Sequence, residues 1–138
     1  MHVEWSILPK DDVTPHWSGI YVTLNREGTI AINKVTYRRM GEPAAVLIMF
    51  DRVNSRIALK PTGATMKHAY AVGKYGRHGG RRIRAFRMIA EFGIKVPDTI
   101  EFKDAEIDSD GQLILDLRTA RVSPRAGTRN QRSVETTK

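Results

Sequence analysis

Residues 21–61 read YVTLNREGTIAINKVTYRRMGEPAAVLIMFDRVNSRIALKP, and the order of element signals within them decides the fold. Ile20, Val22 and Leu24 alternate with Tyr21 and Thr23, and Ile30 and Ile32 resume the same two-residue period, that of a strand with one face on a core. Between them Asn25 to Gly28 supplies turn chemistry, so the two runs predict a β-hairpin. Asn33 stands where a helix N-cap belongs, since its side-chain oxygen can accept from a backbone amide left open in the first turn. A short helix over 34–40 should end at Gly41, because glycine takes the left-handed C-terminal conformation without a Cβ clash. Ala45 to Phe50 is an apolar run fit for a buried strand, Asp51 to Ser55 a turn, and Ile57 and Leu59 alternate outward to Pro61. The unit reads strand, strand, helix, strand, strand.

A second, blurred copy follows. Placing Gly41 on Gly93, a shift of 52 residues, puts Gly28 on Gly80, Met40 on Phe92 and Tyr37 on Ile89. Ile30 and Ile32 then face Arg82 and Arg84, which points to a strand displaced by one residue. Thr62 to Lys67 is a connector and Ala69 to Val72 opens the second unit. Phe86, Ile89 and Phe92 lay an apolar stripe on a short helix stopped by Gly93. Thr99 to Ile107, a DSDG turn and Leu113 to Leu117 repeat the closing hairpin. Each copy alone leaves a sheet edge and an apolar face open, so the two should close on each other.

The segment LNREGTIAINKVTYRRMG resembles the signature of AbrB-like swapped-hairpin DNA-binding proteins: a glycine turn, an apolar strand, a short helix carrying Arg, then Leu or Met and Gly. VLIMFDRVNSRIALKP matches the hairpin that follows in that family. The family commonly has Arg directly after the turn glycine and Pro at the strand-to-helix junction, where this chain has Thr29 and Asn33. In the family the closure joins two chains, and in MraZ-type relatives the motif is repeated within one chain. The resemblance implies a mostly β, α+β fold in which two β-β-α-β-β repeats fuse into a small pseudo-two-fold barrel of the AbrB-like or double-psi-like class. The expected organisation is an N-terminal arm over 1–19, a first repeat over 20–66, a degenerate second repeat over 67–117 sharing its core, and a disordered basic tail over 118–138. In the arm, Trp5 and Trp17 are expected to cover the open end of the core, with a strand possible over Val3 to Leu8; stacking on bases is their alternative role.

A chain of 138 residues supports one compact domain rather than two separate cores. It has no Cys, which excludes disulfides and thiolate chemistry, and no segment with the apolar length of a signal peptide or membrane span. The expectation is a cytoplasmic protein with no membrane partner, as a monomeric pseudo-dimer or a homodimer. The net charge is +8, and its distribution says more than its sum. Residues 1–66 carry eight basic and six acidic side chains, and residues 67–87 carry Lys67, Lys74, Arg77, Arg81, Arg82, Arg84 and Arg87 with no acid. Residues 88–116 hold eight acids against two lysines, and the last 22 residues return to a positive balance.

The stretch GKYGRHGGRR, 73–82, replaces the tight NREG turn of the first copy with a loop of four glycines and four fixed positive charges. Glycines let backbone amides approach an anion, and Arg or Lys can reach successive phosphates. Lys74, Arg77, Arg81, Arg82 and Arg84 are therefore candidate nucleic-acid contacts, with Tyr75 able to stack on a base or sugar. By the alignment of the copies, Arg81 directly follows the turn glycine, where the resemblance implies a DNA-contacting Arg. Arg26, Arg38 and Arg39 are the first-copy candidates. The stretch is neither a Walker loop nor a dinucleotide fingerprint. Its ordinary alternative is a solvated loop, as a solvated helix face is for Arg38 and Arg39.

Asp104, Glu106, Asp108 and Asp110 alternate toward the DSDG turn, but the remaining ligands of a calcium loop are missing, so a turn is expected. His2, His16, His68 and His78 lack metal-ligand spacing, and no nucleophile elbow is present. The expectation is a DNA-binding protein that is not an enzyme, with no cofactor or metal. The alternative is a module for an acidic protein partner, such as the antitoxin half of a toxin pair.

Overall fold

Alternation in the sequence becomes burial in the structure, a computed structural model that describes residue 5 and residues 19–123. β1 (Val22–Leu24) and β2 (Thr29–Ile32) form the expected hairpin, with Val22 opposite Ile32 and Leu24 opposite Ile30. All four side chains are buried. α1 (Lys34–Arg39) starts at Asn33, whose Oδ1 accepts from the Thr36 amide at 3.0 Å while its Nδ2 donates to the Gly19 carbonyl at 2.7 Å. Thr36 is fully buried yet satisfied: its hydroxyl accepts from the Tyr21 amide at 3.1 Å and donates to Asn33 Oδ1. One Asn-Thr pair thus caps the helix and fixes it to the chain entering β1. Gly41 then reverses the chain at φ +89.

β3 (Ala45–Asp51) and β4 (Arg56–Thr62) pair along their whole length. The second half supplies β5 (Tyr70–Tyr75), β6 (Gly80–Arg84), α2 (Phe86–Phe92), β7 (Ile100–Phe102), β8 (Glu106–Ile107), β9 (Leu113–Asp116), a 3₁₀ turn over Leu117–Thr119 and β10 (Ala120–Val122). All ten strands join one antiparallel sheet in the order β10-β7-β1-β2-β6-β5-β3-β4-β9-β8, curled into a half-barrel. Its inner face carries a single cluster that draws Val22, Leu24, Ile30, Ile57 and Leu59 from the first half and Ile83, Phe102, Leu113 and Leu115 from the second. No helix of the described residues is long and apolar enough to cross a membrane.

The second half departs from expectation in detail. Ile83 and Ala85 are buried where Arg82 and Arg84 are not, so the strand lies 53 positions after Ile30 and Ile32 while α2 begins 52 after α1. The strand-to-helix junction is one residue shorter in the second half than in the first. Ala85 consequently occupies the N-cap of α2 and caps nothing with its side chain, where α1 has Asn33. Phe86, expected in the apolar stripe, is 69% exposed, and Met88 is buried with Ile89 and Phe92 packed partly against the core. Phe92 stacks on Phe50 with ring centroids 4.7 Å apart.

The closing hairpin is β8–β9, not a single pairing of 99–107 with 113–117. A break after Phe102 sends β7 to pair with β1 and β10 instead. Residues 118–122, expected as the start of the tail, instead form the 3₁₀ turn and a strand on β7, and the Ser123 amide donates to the Thr99 carbonyl at 2.9 Å. Trp5 is 90% exposed and does not cover the core. Trp17, the possible strand over Val3 to Leu8 and the tail beyond 123 lie outside the described residues.

The two hairpin turns are seated on the helix of the opposite half. A Cβ added at Gly28 would lie 2.7 Å from Phe86 Cα, and the Ala85 amide donates to the Gly28 carbonyl at 2.8 Å. A Cβ at Gly79 would lie 2.9 Å from Lys34 Cδ. The first residues of α1 and α2 are thus the floors on which the turns rest.

Candidate nucleic-acid interface

The stretch expected as a loop is mostly strand. Gly73 pairs with Arg82, Lys74 with Arg81 and Tyr75 with Gly80, leaving only residues 76–79 as a turn, with Gly76 at φ +74 and Gly79 at φ +83. Extending the hairpin has a chemical consequence, because successive side chains of a strand point to opposite faces. The cations of 74–84 therefore divide into two sets.

Arg81 lies on the core-facing side, opposite Ile32 on β2 and two positions from the buried Ile83. Its guanidinium sits 4.4 Å from the centroid of the Tyr37 ring, and Nη1 donates to the carbonyls of Gly79 at 3.1 Å and Gly80 at 2.9 Å. A part-buried guanidinium over a tyrosine face, with donors on turn carbonyls, is a brace between the hairpin and α1. The position to which the resemblance assigns an outward DNA-contacting Arg lies on the core side of the strand, held by Tyr37 and two turn carbonyls.

Arg82 and Arg84 lie on the outer face, opposite Ala31 and Thr29 of β2. Across β5 the partner of Arg82 is Gly73, so small residues flank it on both sides. Its guanidinium reaches 6.0 Å from the centroid of Tyr75, which is half exposed. Arg84 and Arg77 are exposed, the latter in the turn itself; Lys74 is exposed too, but as the partner of Arg81 it lies on the other face from Arg82 and Arg84. Among the described residues no carboxylate pairs with Lys74, Arg77, Arg82 or Arg84; the ion pairs present, Arg56–Asp51, Lys103–Glu101 and Arg118–Asp116, lie elsewhere. Two guanidinium groups about 7 Å apart along one strand repel by roughly half a kcal/mol in water, a cost that a bound anion relieves.

Of the first-copy candidates, Arg26 lies apart from the basic turn: it is exposed in the β1–β2 turn, at the opposite end of the β2·β6 ladder from residues 76–79. Arg38 and Arg39 are exposed in the last turn of α1, where cations interact favourably with the carbonyl end of the helix. Lys34 is a cation that pattern reading missed. It is exposed at the start of α1 with its methylene chain laid along Gly79, which places it beside the basic turn. Nothing local to 34 marks it, because the contact arises only when the two halves interlock.

The acidic run behaves as a turn. Asp108 Oδ1 accepts from the amides of Asp110 and Gln112 at 2.9 Å, and Oδ2 from the Gln112 side chain at 3.0 Å. Among the described residues no group of three or more His, Asp or Glu is gathered as a metal site.

No family model, no curated protein and no solved structure matches the chain.

Proposed function

We propose that this is a DNA-binding protein, a transcriptional regulator or nucleoid-type binder, that contacts phosphates through the outer face and turn of the β5–β6 hairpin. The observation that carries the reading is the set Arg77, Arg82 and Arg84, exposed or half-exposed on the turn and outer face of one hairpin with no carboxylate partner among the described residues, with Lys74 exposed on the other face of the same strand pair. A cluster of cations on one face with no acid among them is the electrostatic footprint of a polyanion site. Lys34 adds to it from α1.

The same proposal includes the AbrB-like architecture of two fused copies related by a pseudo-two-fold axis. Two observations support it. The central strand order β7-β1-β2-β6-β5-β3 reads the same when β1, β2 and β3 are exchanged with β5, β6 and β7. The seating of each turn on the opposite helix is likewise reciprocal, Gly28 on Phe86 and Gly79 on Lys34. Beyond these strands the copies diverge, β3 continuing into a long hairpin and β7 pairing with β10.

If about four cations engage phosphates, affinity should fall with salt along a log-log slope of roughly −3 to −4. Replacing Arg77, Arg82 and Arg84 together by Ala should then flatten the slope by about 3 and abolish measurable binding at physiological salt, with the melting temperature nearly unchanged. Anisotropy titration of a labelled oligonucleotide at several salt concentrations checks this. No binding at low salt, or binding indifferent to salt, would sink the proposal. The rival reading, a module for an acidic protein partner, draws on the exposed Phe86 ring. A defined protein complex recovered on pull-down, with no co-purifying nucleic acid, would favour it.

A further inference from the structure

We infer that the outer face of β1, β2, β6 and β5 binds single-stranded DNA, with Tyr75 as the stacking platform and Arg82 and Arg84 as phosphate contacts. The inference rests on the nucleic-acid reading above and names the form of the ligand. The ladders define the surface. Thr23 lies opposite Ala31, Ala31 opposite Arg82 and Arg82 opposite Gly73, so one row crosses four strands on one face. Beside it, Thr29 lies opposite Arg84. With strands about 4.8 Å apart, the row spans roughly 14 Å, and its only large members come from β6. The floor is built of small side chains and flanked by charge.

Tyr75 decides between strand forms. It sits at the margin of this floor, 50% exposed, on the same face as Arg82, whose guanidinium approaches its ring. The ring is half open, with only the Arg82 guanidinium 6.0 Å from its centroid, so a flat π-face can stack on it. A duplex keeps its bases stacked on each other and offers this ring only sugar and phosphate. A single strand can splay a base onto it while its phosphates meet Arg82 and Arg84, the combination by which sheet-surface proteins hold single strands. The inference keeps DNA, the polyanion of the reading above, and the ribo strand is the control that tests that choice. Glu101, farther along the row opposite Thr23, is neutralised by Lys103 at 3.2 Å and bounds the site on that side.

The test is anisotropy titration of the full chain with labelled oligothymidine of about 12 nucleotides, its ribo equivalent, and a duplex of the same length. Oligothymidine should bind most tightly. Tyr75→Leu, which keeps apolar bulk at the hairpin, should weaken that binding about tenfold or more and leave the duplex unaffected, while Tyr75→Phe should bind as the parent does. Duplex affinity equal to or above that of the single strand, or equal loss on both with Tyr75→Leu, overturns the inference and leaves the DNA-binding proposal standing. Tighter binding of the ribo strand overturns the choice of DNA. No binding to any of the three at low salt overturns both.

Discussion

The β1–β2 turn and the β5–β6 turn hold corresponding places in the sheet, each seated on the first residue of the opposite helix, yet they are built from different materials. In the first, Asn25 Oδ1 accepts from the Glu27 and Thr29 amides at 3.0 and 2.9 Å, Arg26 and Glu27 offset each other in charge, and Gly28 meets backbone. In the second, the hairpin is longer, its tip is cationic, and Gly79 meets the flexible end of Lys34. Its brace is Arg81, drawn from the cation set itself. Where a turn closes against backbone, its sequence has no latitude. Where it closes against a side chain that can move, composition is free to follow a ligand.

The largest effect expected from this contrast is at the glycines. A Cβ at Gly28 meets Phe86 Cα at 2.7 Å with φ at +85, so neither partner can yield. Gly28→Ala should cost about 3 kcal/mol, lowering the melting temperature by roughly 10 °C. Gly79→Ala carries the same left-handed strain, but the Lys34 chain can swing away, so its cost should be about 1 to 2 kcal/mol. Equal losses in thermal unfolding would mean that the two turns are seated alike, and the contrast would break.

A second pair of substitutions separates the two faces of one strand. Arg81→Ala removes the ring contact with Tyr37 and leaves two turn carbonyls to water, at a cost of about 1 to 2 kcal/mol in urea unfolding. Arg82→Ala, one residue on, should change stability by under about 0.5 kcal/mol and weaken nucleic-acid binding instead. If Arg81→Ala binds more weakly at unchanged stability, the core-side placement of Arg81 does not govern its role.

The parts of the fold that were legible in the sequence are those set by local chemistry. Asn33 as a cap, Gly41 and Gly93 as helix stops and the β1–β2 alternation all rest on residues within a few positions of each other, and each is present in the structure. What was not legible depends on register. A junction one residue shorter before α2 exchanges which of Arg81, Arg82, Ile83 and Arg84 face the core, and no count of arginines reveals it. The sequence pattern hinted at the displacement when Ile30 and Ile32 fell on Arg82 and Arg84, but the fate of Arg81 follows only from Tyr37 being brought beside it by the interlocking halves. Phe86 was misplaced for a related reason, since the shortened junction starts the helix one residue after the buried Ala85 and turns that ring outward.

The smallest effect concerns a third turn, which isolates bracing from charge. Asp51 closes the β3–β4 hairpin as Asn25 closes the first: its Oδ1 accepts from the Val53 amide at 3.0 Å and the Asn54 amide at 3.2 Å. The Asn54 side chain, donating to Oδ2 at 2.8 Å, and then Arg56 at 3.0 Å hold its carboxyl at about 2, below the ordinary 3.8. A depressed carboxyl stabilises the fold in full above the unfolded value, and that contribution disappears as pH falls from near 3.8 through about 2. The bracing at Asp51 is therefore switched off by acid, whereas the Asn25 amide has no proton to take up in that range. Carboxyl-detected titration should place Asp51 near 2. Amide exchange of Val53 and Asn54 should accelerate below that point while Glu27 and Thr29 hold. Asp51→Asn, which keeps the acceptor and loses the ion pair, should remove the acid dependence of this turn and make it behave as the first one does. If Glu27 and Thr29 open at the same pH as Val53 and Asn54, the turns are not independently braced and the acid transition is global.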